Sequence, residues 1–384
     1  MHKSNSRNQL QSHHLHIVCL DVPYPVDYGG VFDLFYKIKS LSEAGIKIHL
    51  HCFEYGRGQQ EELNKYCVDV HYYHRRTGHK GFSVCLPYIV ASRANTELLK
   101  NLTSDDHPVL LEGIHCTYFL SSGDLAGKKV FVRLHNVEYL YYQQLGNSTS
   151  SWLKKIFYQR ESRLLKSYEA SLKDKATFWT VNDKDLDVFS NEFGYRSIQN
   201  LPPFMPEYEP EWTGGKGSYC LYHGNLSVVE NEKAALWLTE NIFSELPIPL
   251  VIAGKNPSDH LLRMARRQKH ICVVENPGDT EMQELIKKAQ VNILPSFNST
   301  GIKLKLINAL YNGKHCLVNT AAAEGTGLEC CCTIADCTAD MKAALQKLYD
   351  HSFTLYQFEH RQEHLKTIFS NRANAEKMIG WIFG

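Results

Sequence analysis

Four short stretches carry residue types suited to holding a phosphorylated ligand, and each follows an apolar run of strand length. The most informative is Phe297-Asn298-Ser299-Thr300-Gly301-Ile302-Lys303-Leu304-Lys305-Leu306-Ile307-Asn308-Ala309-Leu310. A strand ending at Pro295 leads into a small polar loop. A helix is then expected to begin near Ile302, with Ile302, Leu306 and Leu310 as its buried stripe. Lys303 and Lys305 fall in its first turn, where the helix dipole disfavours cations. A bound anion removes that conflict, because a diphosphate would meet loop N–H groups and a lysine ammonium together. Solvated lysines on an amphipathic helix are the plain alternative, costing only about a few tenths of a kcal/mol.

The other three stretches are weaker alone. In Tyr28-Gly29-Gly30 the paired glycines let backbone approach an anion at a helix N-terminus, and a tight turn fits equally well. A full G-x-G-x-x-G is absent, which argues against a dinucleotide cofactor. Arg133-Leu134-His135-Asn136-Val137-Glu138 puts polar groups at a strand's carboxyl end. There His135 can donate or accept a hydrogen bond near neutral pH and suits a sugar hydroxyl or a developing charge, with helix capping as the alternative. In Tyr222-His223-Gly224-Asn225-Leu226, Gly224 permits close backbone approach while His223 and Asn225 can bond a base or phosphate. The Ala253-Gly254-Lys255 turn has the same standing. Solvated turns compete with both.

The elements that must position these residues alternate in type. Strands are expected at His16–Leu20, Ile46–Cys52, Val109–Leu111, Val130–Leu134 and Ala176–Val181, with helices from Val31 to Leu41 and Trp152 to Lys173. Pro202, Pro203, Pro206, Pro210, Gly214, Gly215 and Gly217 form the densest breaker cluster and mark a linker. A second series follows: strands at Tyr219–Tyr222, Leu250–Ala253, Ile271–Val274, Val291–Leu294 and His315–Val318. Between them lie helices around Glu230–Thr239, Leu261–Arg267, Glu281–Ala289 and Ile302–Tyr311. Helices near Asp340–Tyr349 and Ala373–Ile382 close the chain. Such alternation implies parallel sheets built from right-handed βαβ units, hence an α/β protein of two Rossmann-like, doubly wound domains facing a cleft.

Bulk properties narrow the class. At 384 residues, 43% hydrophobic and 22% charged, the chain favours two or three domains over one core. With 42 Lys and Arg against 41 Asp and Glu, the net charge of +1 gives no global polyanion-binding surface, and no nucleic-acid partner is expected. Cys19, Cys52, Cys220, Cys272 and Cys316 sit in apolar runs as small hydrophobes. Cys330, Cys331, Cys332 and Cys337 lack paired zinc spacing and fit a buried strand with reduced thiols. The polar start MHKSNSRNQLQSHHLH has no signal-peptide core, and no stretch approaches a transmembrane span. A cytoplasmic protein is expected, with peripheral contact at the inner face of a membrane left open.

Taken together and in order, PYPVDYGG at 23–30, RLHNVEYLYY at 133–142, VNDKDLDVF at 181–189, YHGNL at 222–226, VIAGK at 251–255 and STGIKLKLINALYNGK at 299–314 resemble the retaining glycosyltransferases of GT-B fold. The likeness is to their group-4 (glycosyl transferases group 1) family of bacterial envelope and polysaccharide enzymes. It implies an acceptor-side domain over 1–203, with the helix in 371–384 packing back on it, and a nucleotide-sugar-binding domain over 204–370. It implies that Gly29, Gly30, Gly224, Asn225, Lys255, Thr300, Gly301 and Lys303 surround the donor and its diphosphate. Position 308, here Asn308, would meet the ribose, His135 the donor sugar, and Asn136 and Glu138 the acceptor side. Many members carry two glutamates eight positions apart where this chain has Thr300 and Asn308. The usual basic pair after the first strand of the second domain is not evident, Lys233 being a substitute at most. Glu324-Gly325-Thr326-Gly327 adds a loop at the rim or a simple turn.

The function expected is metal-independent hexosyl or other glycosyl transfer from a nucleotide diphosphate sugar to a glycan or lipid-linked acceptor, with no cofactor. No Asp-x-Asp pair ends a strand, since Asp183 and Asp185 open a helix. The alternatives are a catalytically silent nucleotide- or glycan-binding partner, motivated by Thr300 and Asn308, and, behind it, a sugar-nucleotide epimerase of similar architecture.

Overall fold

In the computed structural model, residues 13–26, 29–149, 151–298 and 300–384 are described. The polar N-terminal segment through residue 12, Asp27, Tyr28 and Ser299 lie outside the described residues. The first series of strands is β1 (His14–Cys19), β2 (Lys47–Glu54), β3 (Asp69–His74), β4 (Val109–Glu112), β5 (Val130–Leu134), β6 (Thr177–Thr180) and β7 (Ile198–Asn200). The second is β8 (Cys220–His223), β9 (Leu250–Gly254), β10 (Ile271–Glu275), β11 (Val291–Ile293), β12 (His315–Val318) and β13 (Thr333–Ile334). They form a seven-stranded sheet of order β3-β2-β1-β4-β5-β6-β7 and a six-stranded sheet of order β10-β9-β8-β11-β12-β13. The pairs β1–β2, β1–β4 and β4–β5 of the first sheet and β8–β9, β9–β10 and β11–β12 of the second are parallel. Each order reverses direction beside its first strand, as doubly wound sheets do. Central strands β4, β5, β8 and β12 are buried along their whole length, which explains their largely apolar sequences.

By compactness one unit takes the chain up to Arg133 together with Asp174–Phe178 and Asn371–Gly384, and the other takes Leu134–Lys173 and Trp179–Ser370. In the first, helix Asn371–Phe383 packs on helix Gly29–Glu43. The core of the second joins Tyr222, Ile252, Val291, Ile293 and Leu317 of its sheet to Leu238 of helix Val229–Asn241 and to Leu306 and Leu310 of helix Leu304–Asn312.

Several local expectations change. β3 went unassigned from sequence because DVHYYH offers one aliphatic residue; it is an edge strand, half-buried at most positions. Helix Leu355–Ile368 also escaped, although Thr354 and Gln357 make a reciprocal capping box, because its buried face is Arg361, Gln362 and Leu365. Arg361 donates to the carbonyls of Gly313 and Lys314, each at 2.5 Å, satisfying acceptors just past helix Leu304–Asn312. Cys272 is exposed, because β10 is an edge strand with one face to solvent. The cysteine run is no buried strand. Glu329–Cys331 is a turn of 3₁₀ helix with Cys330 exposed, and β13 starts only at Thr333. All twelve thiols are unpaired.

Arg133, expected among the polar strand-end groups facing a ligand, is fully buried. It belongs to a network inside the first unit. Lys37 reaches Asp33 and Glu112 at 2.9 Å each, and Arg133 Nε reaches Asp33 at 3.1 Å. Two cations face two carboxylates, tying helix Gly29–Glu43 to the ends of β4 and β5. Buried pairs of this kind matter most when one partner is removed. Lys37→Ala should therefore lower the unfolding free energy by about 3 to 5 kcal/mol, measured by urea denaturation. A loss within experimental error would show that the network is not structural.

Candidate functional site

In a doubly wound sheet the ligand crevice lies outside the carboxyl ends of the strands where the order reverses. In the second sheet that point is between β8 and β11, neighbours in the sheet. The loops after β8 and β11 are two of the four stretches singled out by sequence, and the turn after β9 is the Ala253-Gly254-Lys255 turn set beside them.

Gly254, ending β9, is packed so tightly that a Cβ there would sit 1.9 Å from the Gly224 carbonyl oxygen. Only glycine lets these two strand ends approach. Leu226 N–H donates to the Lys255 carbonyl at 2.9 Å, and the Lys255 side chain is exposed. Asn225 closes its own turn, accepting from Ser227 N–H and O–H at 3.1 and 2.7 Å. Beneath this turn, Asn231 of helix Val229–Asn241 donates to the Asn225 carbonyl at 3.0 Å. His223 is buried, and its Nε2 has no hydrogen-bond partner among the described residues.

The loop after β11 is more ordered than its polar sequence suggests. Asn319 accepts from Ser296 N–H at 2.8 Å, and Asn298 Oδ1 accepts both the N–H and the hydroxyl of Thr300, at 2.8 and 2.9 Å. This turn holds Thr300 buried. Gly301 follows at φ +63°, a left-handed conformation, and a Cβ there would lie 2.2 Å from Asn136 Oδ1 and 3.1 Å from the His135 carbonyl oxygen. Two sequence-derived stretches thus meet, His135-Asn136 and Thr300-Gly301. The loop also delays the helix, which begins at Leu304 rather than near Ile302. Lys303 is its N-cap, and Lys305 alone of the two lysines lies in the first turn.

Neither lysine has a carboxylate within ion-pair distance among the described residues, and both are half-buried. Lys303 Nζ donates to the Thr300 carbonyl at 2.5 Å. Burial lowers its pKa to about 8 against the opposing pull of Asp185. Lys305 Nζ donates to Asn231 Oδ1 at 2.9 Å and Tyr222 Oη at 3.1 Å, both uncharged. Burial, then repulsion from Lys303, brings it to about 7. Burial and the Lys305 charge push His223 down to about 3, so it is neutral. Burial raises Asp185 to about 6, even though Asn182, Lys303 and the Gly301 N–H favour its carboxylate. The arrangement is a desolvated, cation-rich crevice.

The remaining sequence-derived residues fall around it or apart from it. His135 and Asn136 are half-buried after β5, and Asn136 Nδ2 donates to Glu138 at 3.4 Å. Glu138 is buried, and its N–H, with that of Tyr139, is accepted by Glu169 at 2.8 and 3.3 Å, capping helix Glu138–Ser148. Asn308 is tied within its helix by Asn312 at 2.8 Å. Gly29 and Gly30 are the first two residues of helix Gly29–Glu43, in the first unit. Lys233 lies 5.2 Å over the Phe297 ring. The Glu324–Gly327 loop is more than a turn: Gly325 accepts from Asp183 N–H at 3.0 Å, and Glu324 pairs with Lys184. It thereby braces helix Asp183–Asp187, which carries Asp185. Sequence reasoning missed Asp185, Asn231 and Tyr222 as site residues. Only the folded sheet brings them to the lysines, although the conflict between the lysines and the helix dipole was a local signal.

With this geometry in view, comparison with known proteins gives a consistent picture. Residues 217–351 match the family described as glycosyl transferases group 1. An "Uncharacterized 44.6 kDa protein in cps region" of Klebsiella pneumoniae is 27% identical over 332 residues, 81% of this chain and 84% of that protein. Among solved structures, TarM superposes with a TM-score of 0.71 at 8% identity, covering 98% of this chain and 99% of TarM. A sucrose-phosphate synthase from Thermosynechococcus elongatus superposes at 0.70 and 11% identity, covering 96% and 98%. At such identities the structural likeness establishes the fold, which is GT-B.

The lysine environment makes a testable statement about the ligand-free protein. Lys305 titrates near 7 when folded and near the ordinary lysine value of about 10.5 when unfolded. Its neutral form therefore contributes stability that is present above about 10.5 and lost as pH falls through about 7. Asp185 and His223 titrate below this range. Between pH 7 and 8.5 the urea-unfolding free energy of the wild type should rise with pH, and Lys305→Met should make that rise shallower, leaving the part that Lys303, with a pKa of about 8, contributes. Parallel curves would show that Lys305 is not desolvated.

Proposed function

We propose that this chain, whose residues 217–351 belong to the glycosyl transferases group 1 family, transfers a hexosyl or other glycosyl unit from a nucleotide diphosphate sugar to a glycan or lipid-linked acceptor. The observation that carries the donor reading is Lys305. It is an amine with a pKa of about 7, held by neutral groups beside His223, whose Nε2 has no partner among the described residues. It lies at the switch point of the family-matched sheet, and an anion there would restore its full charge. A diphosphate supplies the missing negative charge, accepts from the N–H groups of Ile302 and Lys303, and leaves with that charge stabilised as the glycosidic bond breaks. Lys305 also answers the missing basic pair, since a cation reaches the end of β8 from another element. Retention of configuration and independence from metal are carried over from the family likeness, as are the diphosphate role of Gly29 and Gly30 and the ribose role of Asn308. His135, whose backbone lies close against Gly301, would orient the donor sugar. The capsule (cps) setting of the Klebsiella relative favours a polysaccharide acceptor.

One observation favours the silent alternative. Thr300 spends its hydroxyl on Asn298, so the position offers donor hydroxyls neither a carboxylate nor a free side chain. Calorimetry and turnover separate the readings across UDP-, GDP- and ADP-linked sugars. Lys303→Ala and Lys305→Ala should each weaken donor binding by about 1.5 to 3 kcal/mol, the range for a hydrogen bond to a charged group. Unchanged affinity in both variants removes the diphosphate site. His135→Ala should lower turnover far more than affinity. Tight binding with no transfer or donor hydrolysis in the wild type would establish the silent reading instead.

An acceptor in a lipid surface fits a second feature. No described helix is long and apolar enough to cross a membrane. Helix Trp152–Leu172, however, opens with Trp152, Leu153, Ile156 and Phe157 exposed, flanked by exposed Lys154 and Lys155. Apolar anchors with basic neighbours suit the interface of an anionic bilayer. Co-sedimentation with anionic vesicles should fall sharply in a Trp152→Ser, Phe157→Ser double variant. Equal sedimentation of the two proteins ends this assignment.

A further inference from the structure

The first unit gathers imidazoles on one face of its sheet. β1, β2 and β3 are parallel neighbours, with His16 beside His49, Val18 beside His51, His49 beside Asp69 and His51 beside His71. Side chains alternate along a strand, so His14 and His16, His49 and His51, Asp69 and His71 share a face. Asp105 and His107, from the loop ahead of β4, join them. His14 Nδ1 lies 2.9 Å from His49 Nε2, and His49 Nδ1 lies 2.7 Å from Asp69 Oδ2. The His107 ring stacks on His14 with centroids 4.6 Å apart and lies nearly parallel to His49 at 5.7 Å. One ring nitrogen from each of His14, His49 and His107 falls within 4.8 Å of the others. All three rings are half-buried and so reachable from solvent.

We propose that His14, His49 and His107 form a three-imidazole site for a first-row transition-metal dication of the zinc class, with Asp69 orienting His49. The carboxylate on His49 Nδ1 fixes the tautomer that turns the Nε2 lone pair toward His14, the support that metal-bound histidines require. Tetrahedral zinc with Zn–N bonds of about 2.0–2.1 Å sets neighbouring nitrogens about 3.3 Å apart, between the 2.9 Å of His14–His49 and the 4.8 Å limit of the trio. Imidazole donors favour zinc, copper, nickel or cobalt over magnesium and calcium. Beneath the trio, His16 is held between Asp105 at 3.1 Å and His51 at 2.8 Å, and His51 by Tyr73 at 2.8 Å. This second layer keeps the first in place. His14 is the first residue of β1 and His107 precedes β4, so the site lies toward the amino-terminal ends of the strands. Substrates of doubly wound folds bind at the opposite ends. The metal clips β1, β2 and the loop before β4 together, and does no sugar chemistry.

The test uses the full chain stripped with chelator. Zinc titration by calorimetry should give one ion per chain at this site and raise the melting temperature, and cobalt should give the visible bands of nitrogen-ligated tetrahedral Co²⁺. His107→Ala removes a half-buried loop residue, and circular dichroism checks its fold. It should weaken zinc at least tenfold and abolish the cobalt bands, while Cys330→Ser, Cys331→Ser should change neither. Three results overturn the proposal: no zinc bound, binding unaltered by His107→Ala, or binding lost only in the cysteine variant, which would assign the ion to Cys330, Cys331 and His364.

Discussion

The amine of Lys305, desolvated and held by a phenol and an amide, is the constraint on which the chemistry proposed for the second unit depends. Charge is elsewhere neutralised with care. In the first unit Lys37 and Arg133 are buried against Asp33 and Glu112, two against two. Such a network needs no ligand and holds a helix to strand ends. Around Lys305 the charge that acts on it is another lysine, Lys303, and the adjacent histidine is driven neutral. A fold that balances one buried set and leaves the other in excess directs the second set at something it does not contain. An anion placed there gains because the surroundings are already dehydrated and the dipoles fixed.

Backbone contact gives that crevice its shape. Gly254 lets the ends of β8 and β9 meet, and Gly301 lets the loop after β11 touch His135-Asn136. Both positions exclude a Cβ because of neighbouring backbone or a short amide, which cannot swing away as a long side chain can. The loops are therefore fixed by steric necessity, and the Asn298–Thr300 turn and the Glu324–Gly327 brace on helix Asp183–Asp187 hold them from either side. A rigid frame around a charged ligand lowers the reorganisation needed when charge shifts onto the leaving group.

The two parallel sheets were legible because buried strands such as VLLE at β4 and CLYH at β8 are apolar up to their last residue and alternate with helical periodicity. β3 was not, because an edge strand need not be apolar, and DVHYYH resembles a loop until its neighbours HLHIVC and KIHLHC are laid beside it. The alternate histidines at 14 and 16, 49 and 51 were a period-two signal in plain view, but only register shows that they converge. At the candidate site the sequence exposed the lysines through their quarrel with the helix dipole. It assigned both to the first turn, since nothing local revealed that Gly301 and an Asx turn extend the loop to Lys303. Tyr222, Asn231 and Asp185 come from three other elements, and their roles exist only in three dimensions.

The replacement of the customary glutamates by Thr300 and Asn308 bears on this electrostatic argument. A carboxylate at 300 would stand within one turn of Lys303 and beside Asp185, whose own pKa is already raised to about 6 by burial. Threonine instead folds into the loop and adds no charge, leaving the lysines less neutralised than a glutamate would. In the proposed donor site, what the position loses in hydrogen bonds to donor-sugar hydroxyls it would return as a stronger pull on the diphosphate, because Asp185 and Glu230 are the acidic groups that act on Lys303 among the described residues. On the proposed reading, the substitution would shift recognition from the sugar toward the leaving group. On these grounds, the donor's sugar should be discriminated mainly by contacts made outside the 300–308 segment.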